Sequence, residues 1–168
     1  MSASSYASDF SGVPHIVDPT GAVAIYWTDP PGALVQLVQS TRGTSEMAHW
    51  LVSDALDLLF SRFPGVDGLR IVIDMRRMTG RSAMARSMLM NASGTAAGRI
   101  SHVVLLPSLH MGPAYFKVIE ATAVALRLVG YRVDVEQNLD EALKKHAVHI
   151  EMLSDVRAVL KPELLKPD

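Results

Sequence analysis

The chain has 168 residues, a length typical of one domain, and 49% of them are hydrophobic, which is enough to build a sizeable core. Its formal net charge of −1 excludes a global field that would attract nucleic acid or an anionic membrane. The absence of cysteine excludes disulfides, thiolate zinc sites and a cysteine nucleophile, and it suits a reducing compartment. Because the first residues also lack the basic and apolar regions of a signal peptide, we expect a cytoplasmic protein without a membrane span.

The first part of the chain predicts a short antiparallel meander. Residues 1–13 are small and polar, and we expect them to form a disordered tail. Apolar runs with strand character follow at 15–17, 22–27 and 33–39. Because only short turns rich in proline and glycine separate these runs, neighbouring strands should pair antiparallel.

From residue 45 onwards, helical and strand periodicities alternate. Ser45 is a candidate N-cap for a helix that continues to about Arg62. The elements predicted after it are a strand at 69–74, a helix from Arg81 or Ser82, a strand at 100–106, a helix at 113–129, a strand at 131–135 and a helix from Asn138 or Asp140 to about Leu160. This order predicts an α/β fold: a mixed β-sheet with antiparallel N-terminal strands and parallel crossovers, and with helices packed on it. The runs at 69–74 and 100–106 are apolar without alternation, as in strands buried on both faces.

Two segments carry a resemblance to a known family: GLRIVIDMRRMTGRSAMA at 68–85 and NLDEAL at 138–143. Together with the order of elements over about 14 to 147, they resemble STAS domains, and most closely the SpoIIAA-like, STAS/CRAL-TRIO-related proteins of bacteria. The resemblance implies a single STAS-like domain, and the apolar spacing after Asn138 adds an extended C-terminal helix to it. We therefore predict one domain over 14–161, followed by a tail at 162–168. It also implies a non-catalytic protein-interaction or regulatory module in bacterial signalling, with a protein partner that the sequence does not name.

The same resemblance concerns a phosphorylation site. In anti-sigma-factor antagonists, the loop after the strand that ends in aspartate carries an Asp-Ser pair, and a partner kinase phosphorylates its serine. Counted from Asp74, that pair would fall at Ser82-Ala83, so the aspartate is absent and the serine lies one place early. The resemblance therefore marks Ser82, and the neighbouring Thr79, as candidate phosphorylation sites.

The segment after Asp74 concentrates positive charge and hydrogen-bond donors. Ligands of open α/β sheets bind at the carboxyl ends of strands, and a helix N-terminus favours anions through its free N–H groups and its dipole. We therefore predict a partner-binding or anion-binding loop made of Arg76, Arg77, Thr79, Gly80, Arg81 and Ser82. The alternative is that Ser82 or Thr79 only caps a helix and that the arginines are solvated.

Two predicted helices have few charges. In SAMARSMLMNASGTAAG (82–98), methionines lie among small residues, and such surfaces repack easily around partners or lipophilic ligands. We therefore predict a partner contact through Met84 and Met88. The helix at 113–128 is apolar over more than one face, which suggests a homodimer. The alternative for each helix is burial within the domain.

Two other functions remain open. One is a carrier or sensor of a small lipophilic or phosphate-bearing ligand, which would use the methionines and the arginines. The other is a small hydrolase-like enzyme with His110 and Asp74, although the chain has no Gly-x-Ser-x-Gly elbow.

His146 and His149 are spaced i, i+3 on a predicted helix without a visible third ligand, and His102 is expected in the core. We therefore predict no catalytic residue, no metal and no cofactor.

Overall fold

The computed structural model describes Phe10, Val13 and residues 15–81, 87, 91, 96, 98–108 and 110–151. Its strands are β1 Ile16–Val17, β2 Val23–Asp29, β3 Gly32–Leu37, β4 Thr41–Gly43, β5 Leu69–Asp74, β6 Met78–Arg81, β7 Ile100–Leu106, β8 Arg132–Val135 and β9 His149–Ile150. Its helices are α1 Ser45–Trp50, α2 Leu56–Arg62, α3 Gly112–Leu128 and α4 Leu139–Lys145, and a π-helical segment, Leu51–Ala55, joins α1 to α2. Within these ranges, no helix is both long enough and apolar enough to cross a bilayer.

The main sheet is mixed, with the strand order β1-β2-β3-β5-β7-β8, and β9 pairs with β2 as well. Strand β2 is antiparallel to β1, β3 and β9. The pairs β3-β5, β5-β7 and β7-β8 are parallel, and each therefore needs a crossover, which the helices help to supply. The predicted fold class, with an antiparallel start and parallel crossovers, is confirmed.

Apolar layers cover both faces of the sheet, because successive side chains of a strand point to opposite faces. On what we call the helix face, Ile25, Ala33, Ile71 and Val103 share a core with residues of α1, α2 and α3. On the opposite face, which we call the α4 face, Tyr26, Leu34, Val72 and Val104 pack with Leu139 and Ala142. The central strands β5 and β7 are thus buried from both sides, as their uninterrupted apolar runs predict.

Helix α1 is capped by Thr44 and not by the predicted Ser45. The Met47 N–H donates to Thr44 Oγ1 at 3.2 Å, and the backbone of Thr44 is extended, as at other helix N-caps. We expect Thr44→Ala to lower the free energy of unfolding by about 1 kcal/mol, because it leaves an N–H of the first turn without an acceptor. Ser45→Ala is the matched control and should stay within roughly 0.5 kcal/mol of the parent in urea denaturation. An equal loss in the two variants would contradict this cap.

The predicted extended C-terminal helix is wrong over 146–151. Asn138 caps α4, but the helix ends at Lys145, and Ala147, at a φ of 50°, turns the chain. Strand β9 then pairs with the end of β2, and the Glu151 N–H donates to the Trp27 carbonyl at 2.9 Å. The apolar spacing suits a helix, but pairing with the edge of β2 satisfies the backbone of both segments. Residues 152–168, with the predicted continuation to Leu160 and the tail, lie outside the described residues.

Two other predictions need correction. Met78–Arg81 is strand β6, parallel to β4, and not the start of a helix, because its backbone pairs with Thr41–Gly43 in a separate two-stranded sheet. The later residues Ser87, Asn91 and Ala96 are helical, whereas Ser82, Met84 and Met88 lie outside the described residues. The disordered tail predicted over 1–13 does not hold for Phe10 and Val13, which pack on the α4 face.

Candidate functional site: an apolar cavity

A cavity of about 260 Å³ lies between the helix face of the sheet and the helices above it. Its floor includes Ile25, Ala33 and Ile71 from three neighbouring strands, and its roof includes Met47, Ala55 and Ile119 from the helices. Protein interiors are close-packed, with few voids larger than a water molecule. The space is partly open to the surface, and an apolar pocket of this size against the sheet is a candidate ligand site.

The residues around the cavity show why it forms. The lining includes small side chains from both layers, Ala33 on β3 and Ala48 and Ala55 on the helices, which fill less of this space than larger side chains would. The π-helical segment contributes Leu51, Val52 and Ala55 to the lining. π-Helical turns are rare and are often found at functional sites.

The lining is almost entirely apolar. Its few polar residues include Thr44, Asp74, Thr122 and Tyr131. An apolar cavity of about 150 Å³ is known to stay dry and to bind benzene, so a larger one with this lining can hold a small lipophilic molecule. Asp74 is the only acidic residue among the described lining residues, and its hydrogen-bond partners decide whether it can react.

Asp74 is held by donors on both carboxylate oxygens. Oδ1 accepts from Arg76 Nε at 2.8 Å and from the Arg76 backbone N–H at 3.2 Å. Oδ2 accepts from Arg76 Nη2 at 2.8 Å and from Gln36 Nε2 at 3.1 Å. With Asp74 only 4% exposed, this is a buried, forked ion pair. The arrangement neutralises the charge at the carboxyl end of β5 and makes Asp74 a structural group, not a free base.

The predicted anion-binding loop is largely occupied by contacts within the chain. Arg76 pairs with Asp74, and the Arg77 guanidinium donates to the Val38 carbonyl. Gly80 lies beside Arg42 in the β4–β6 sheet, and Thr79 is exposed. Because 78–81 is a strand, no helix dipole acts on an anion at these residues. The alternative interpretation, in which the arginines are solvated, does not hold for Arg76, because this side chain pairs with Asp74. Binding of a partner or an anion by this segment remains a prediction.

The shared helix face predicted for His146 and His149 is not observed. His146 is the C-cap of α4 and His149 lies in β9, so they do not share a helix face. His146 instead contacts His102, with ring centroids 5.1 Å apart. His102 is a buried residue with a partner, as predicted, because its Nε2 lies 2.7 Å from Asp134 Oδ2. His110 is exposed, in the turn before α3.

Burial and hydrogen bonding act in opposite directions on this group of side chains. Burial lowers the pKa of His102 and outweighs its hydrogen bond to Asp134. Burial would raise the pKa of Asp134, but the hydrogen bond with His102 and the nearby positive charges hold that pKa below its usual value. The hydrogen bond from Lys145, with help from His146, lowers the pKa of Glu136 despite burial.

The sequence analysis did not predict the cavity, because each residue that lines it is an ordinary core residue when it is considered alone. Alanines at 33, 48 and 55 read as normal core residues in a strand and a helix. Only the packing of the sheet against the helices brings them to the same space. The predicted lipophilic-ligand alternative relied on the methionine-rich helix at 82–98, most of which lies outside the described residues, together with Met75 and Met78 just before it. The described lining methionines are Met75, Met78 and Met47.

Comparison with known proteins supports the fold. No family model matches the chain, and no curated protein matches it significantly. Among solved structures, the chain is similar to an uncharacterized protein of the DUF3478 family from Shewanella loihica PV-4, described as having a SpoIIAA-like fold. The TM-score is 0.53 at 16% identity, over 79% of this chain and 94% of that chain. The chain therefore has a SpoIIAA-like fold, as the resemblance implies.

Proposed function

We propose that this SpoIIAA-like domain binds a small lipophilic molecule inside its core and acts as a carrier or sensor of it. The observation that carries the proposal is the apolar cavity of about 260 Å³ between the sheet and the helices. Concave, mostly apolar spaces with a few polar groups are the usual form of small-molecule sites. Arg76 and Arg77 are engaged within the chain, which favours a lipophilic ligand over a phosphate-bearing one.

The size and lining of the cavity suggest the class of ligand. Scaling from a cavity of about 150 Å³ that accepts benzene gives a molecule on the order of ten non-hydrogen atoms. Its binding would come mainly from burial of apolar area, at roughly 25 cal/mol per Å². Thr44 and Asp74 lie at the carboxyl ends of the strands, where α/β sheets commonly bind ligands, so a neutral polar group of the ligand would be directed to that end.

Native mass spectrometry of the purified, untagged protein tests the proposal. We expect an adduct on the order of 100–200 Da, as the cavity size predicts, and this adduct should disappear under denaturing conditions. Indole, p-xylene and 1-octanol should also raise the melting temperature, because a ligand that binds only the folded state stabilises it. The proposal fails if the spectrum shows no adduct and none of the three probes shifts the transition.

A second candidate function is the protein-interaction module, in the form of a homodimer. Large apolar side chains are exposed around the end of α3: Val124, Leu128 and Val129 are 51%, 83% and 49% exposed. Contiguous exposed apolar residues commonly mark contact surfaces. Sedimentation at tens of micromolar should then give a dimer that Leu128→Glu converts to a monomer. A monomeric parent protein would contradict this function and leave the ligand proposal intact.

A further inference from the structure

Two buried histidines and a carboxylate converge on the α4 face of the sheet, on the side away from the cavity. His102 comes from β7, Asp134 from the neighbouring β8, and His146 from the end of α4. The register aligns His102 with Arg132 and Val104 with Asp134, so alternate positions of two adjacent strands place both side chains on one face. One ligand atom from each of the three residues lies within 4.8 Å of the other two.

We propose that His102 Nε2, Asp134 Oδ2 and His146 Nδ1 form a Zn²⁺-binding site. Two imidazole nitrogens and a carboxylate oxygen are ligands that Zn²⁺ accepts, at about 2.0–2.2 Å. A tetrahedral ion at that distance needs ligand atoms about 3.4 Å apart. The present separations from Asp134 Oδ2 are 2.7 Å to His102 and 4.0 Å to His146. The ligand atoms of the two histidines lie at most 4.8 Å apart. Changes of about 1.4 Å or less, within reach of side-chain rotations, would therefore bring all three separations to the tetrahedral value.

Glu136 orients the second histidine for this role. Its Oε1 lies 3.1 Å from His146 Nε2, so it can accept a hydrogen bond from that nitrogen and leave Nδ1, 4.0 Å from Asp134 Oδ2, with a lone pair for the ion. Metal-binding histidines usually donate their other N–H to a carboxylate or carbonyl in this way. Lys145 Nζ, at 2.6 Å from the same oxygen, fixes Glu136 in place.

The neighbouring cations set the limit on affinity. Arg132 Nε lies 3.3 Å from Asp134 Oδ2, but its side chain is 70% exposed and can move into solvent when a cation binds. Arg70 donates to the His146 carbonyl and stays nearby, which weakens a cation site. Asp134 is 30% exposed, so water can supply the fourth ligand. Both histidine side chains are at most 6% exposed, which keeps the other ligands in place.

Titration of the metal-free, untagged protein with Zn²⁺, and with Co²⁺ as a spectroscopic probe, tests this site. We expect one equivalent to bind and the Co²⁺ form to show the strong visible absorption of a tetrahedral N/O site. His146→Gln should weaken binding at least a hundredfold. Glu136→Gln should weaken it by about tenfold to a hundredfold, the usual effect of a lost outer carboxylate. His149→Gln is the matched control, since it changes an exposed histidine three residues away, and it should bind like the parent.

The outcomes separate a metal site from a hydrogen-bonded cluster. Equal binding by the parent and His146→Gln, or loss in His149→Gln of the same size, would overturn the proposal. Absence of saturable binding by the parent at millimolar Zn²⁺ would overturn it as well. If His146→Gln fails to fold by circular dichroism, Glu136→Gln still decides the matter, because its side chain does not contact the ion and an unchanged affinity would contradict the geometry given above.

Discussion

Ala55→Leu is expected to weaken binding of indole at least tenfold without unfolding the protein. Ala55 lines the cavity from the π-helical segment, so the larger side chain occupies space that the ligand needs. Filling an apolar void commonly leaves stability unchanged or raises it by about 1 kcal/mol. Isothermal titration calorimetry measures the affinity, and urea denaturation measures the stability.

Ala121→Leu is the matched control for this variant. Ala121 lies on the exposed side of α3, so the same enlargement should leave indole affinity within about twofold of the parent. If Ala55→Leu binds as well as the parent, the cavity is not the site. Equal losses in the two variants would point to a general effect on the helices and would also contradict the proposal.

Arg76→Ala is expected to lower the free energy of unfolding by on the order of 3 kcal/mol. It removes the forked partner of Asp74, and that carboxylate is 4% exposed, so its charge stays buried without an adequate counter-charge. From the sequence alone, with the arginines taken as solvated, Arg76→Ala together with Arg81→Ala should change stability by no more than roughly 1 kcal/mol. Urea denaturation distinguishes the two expectations.

Two further variants isolate the ion pair. Arg42→Ala removes an exposed arginine of the neighbouring strand β4 and should stay within about 0.5 kcal/mol of the parent. In an Asp74→Asn background, Arg76→Ala should cost much less than in the parent, because no buried charge is left unpaired. A loss that is the same in both backgrounds would show that Arg76 acts through other contacts.

Local patterns in the sequence determined most elements of the fold. The apolar runs at 69–74 and 100–106 suit only strands covered on both faces, and both lie at the centre of the sheet. Helical spacing predicted 45–62 and 113–129, where the structure has α1–π–α2 and α3. Pro113 in the first turn of α3 and Gly130, with a φ of 99°, just after its end are signals that a helix carries in its own sequence. These features follow from the period of side chains and the backbone limits of single residues.

Only the tertiary structure decided the contacts between distant segments. Met78–Arg81 became a strand because β4 offered its backbone, and 149–150 became one because β2 had a free edge. The sequence also allows a solvated Arg76, but in the fold it pairs with Asp74, which Gln36 contacts as well. The cavity and the His102–Asp134–His146 cluster also form only where distant segments of the chain come together. The periodicity of apolar residues determines which face of an element is apolar. How completely the side chains fill the space between two layers depends on their packing, which no local pattern contains.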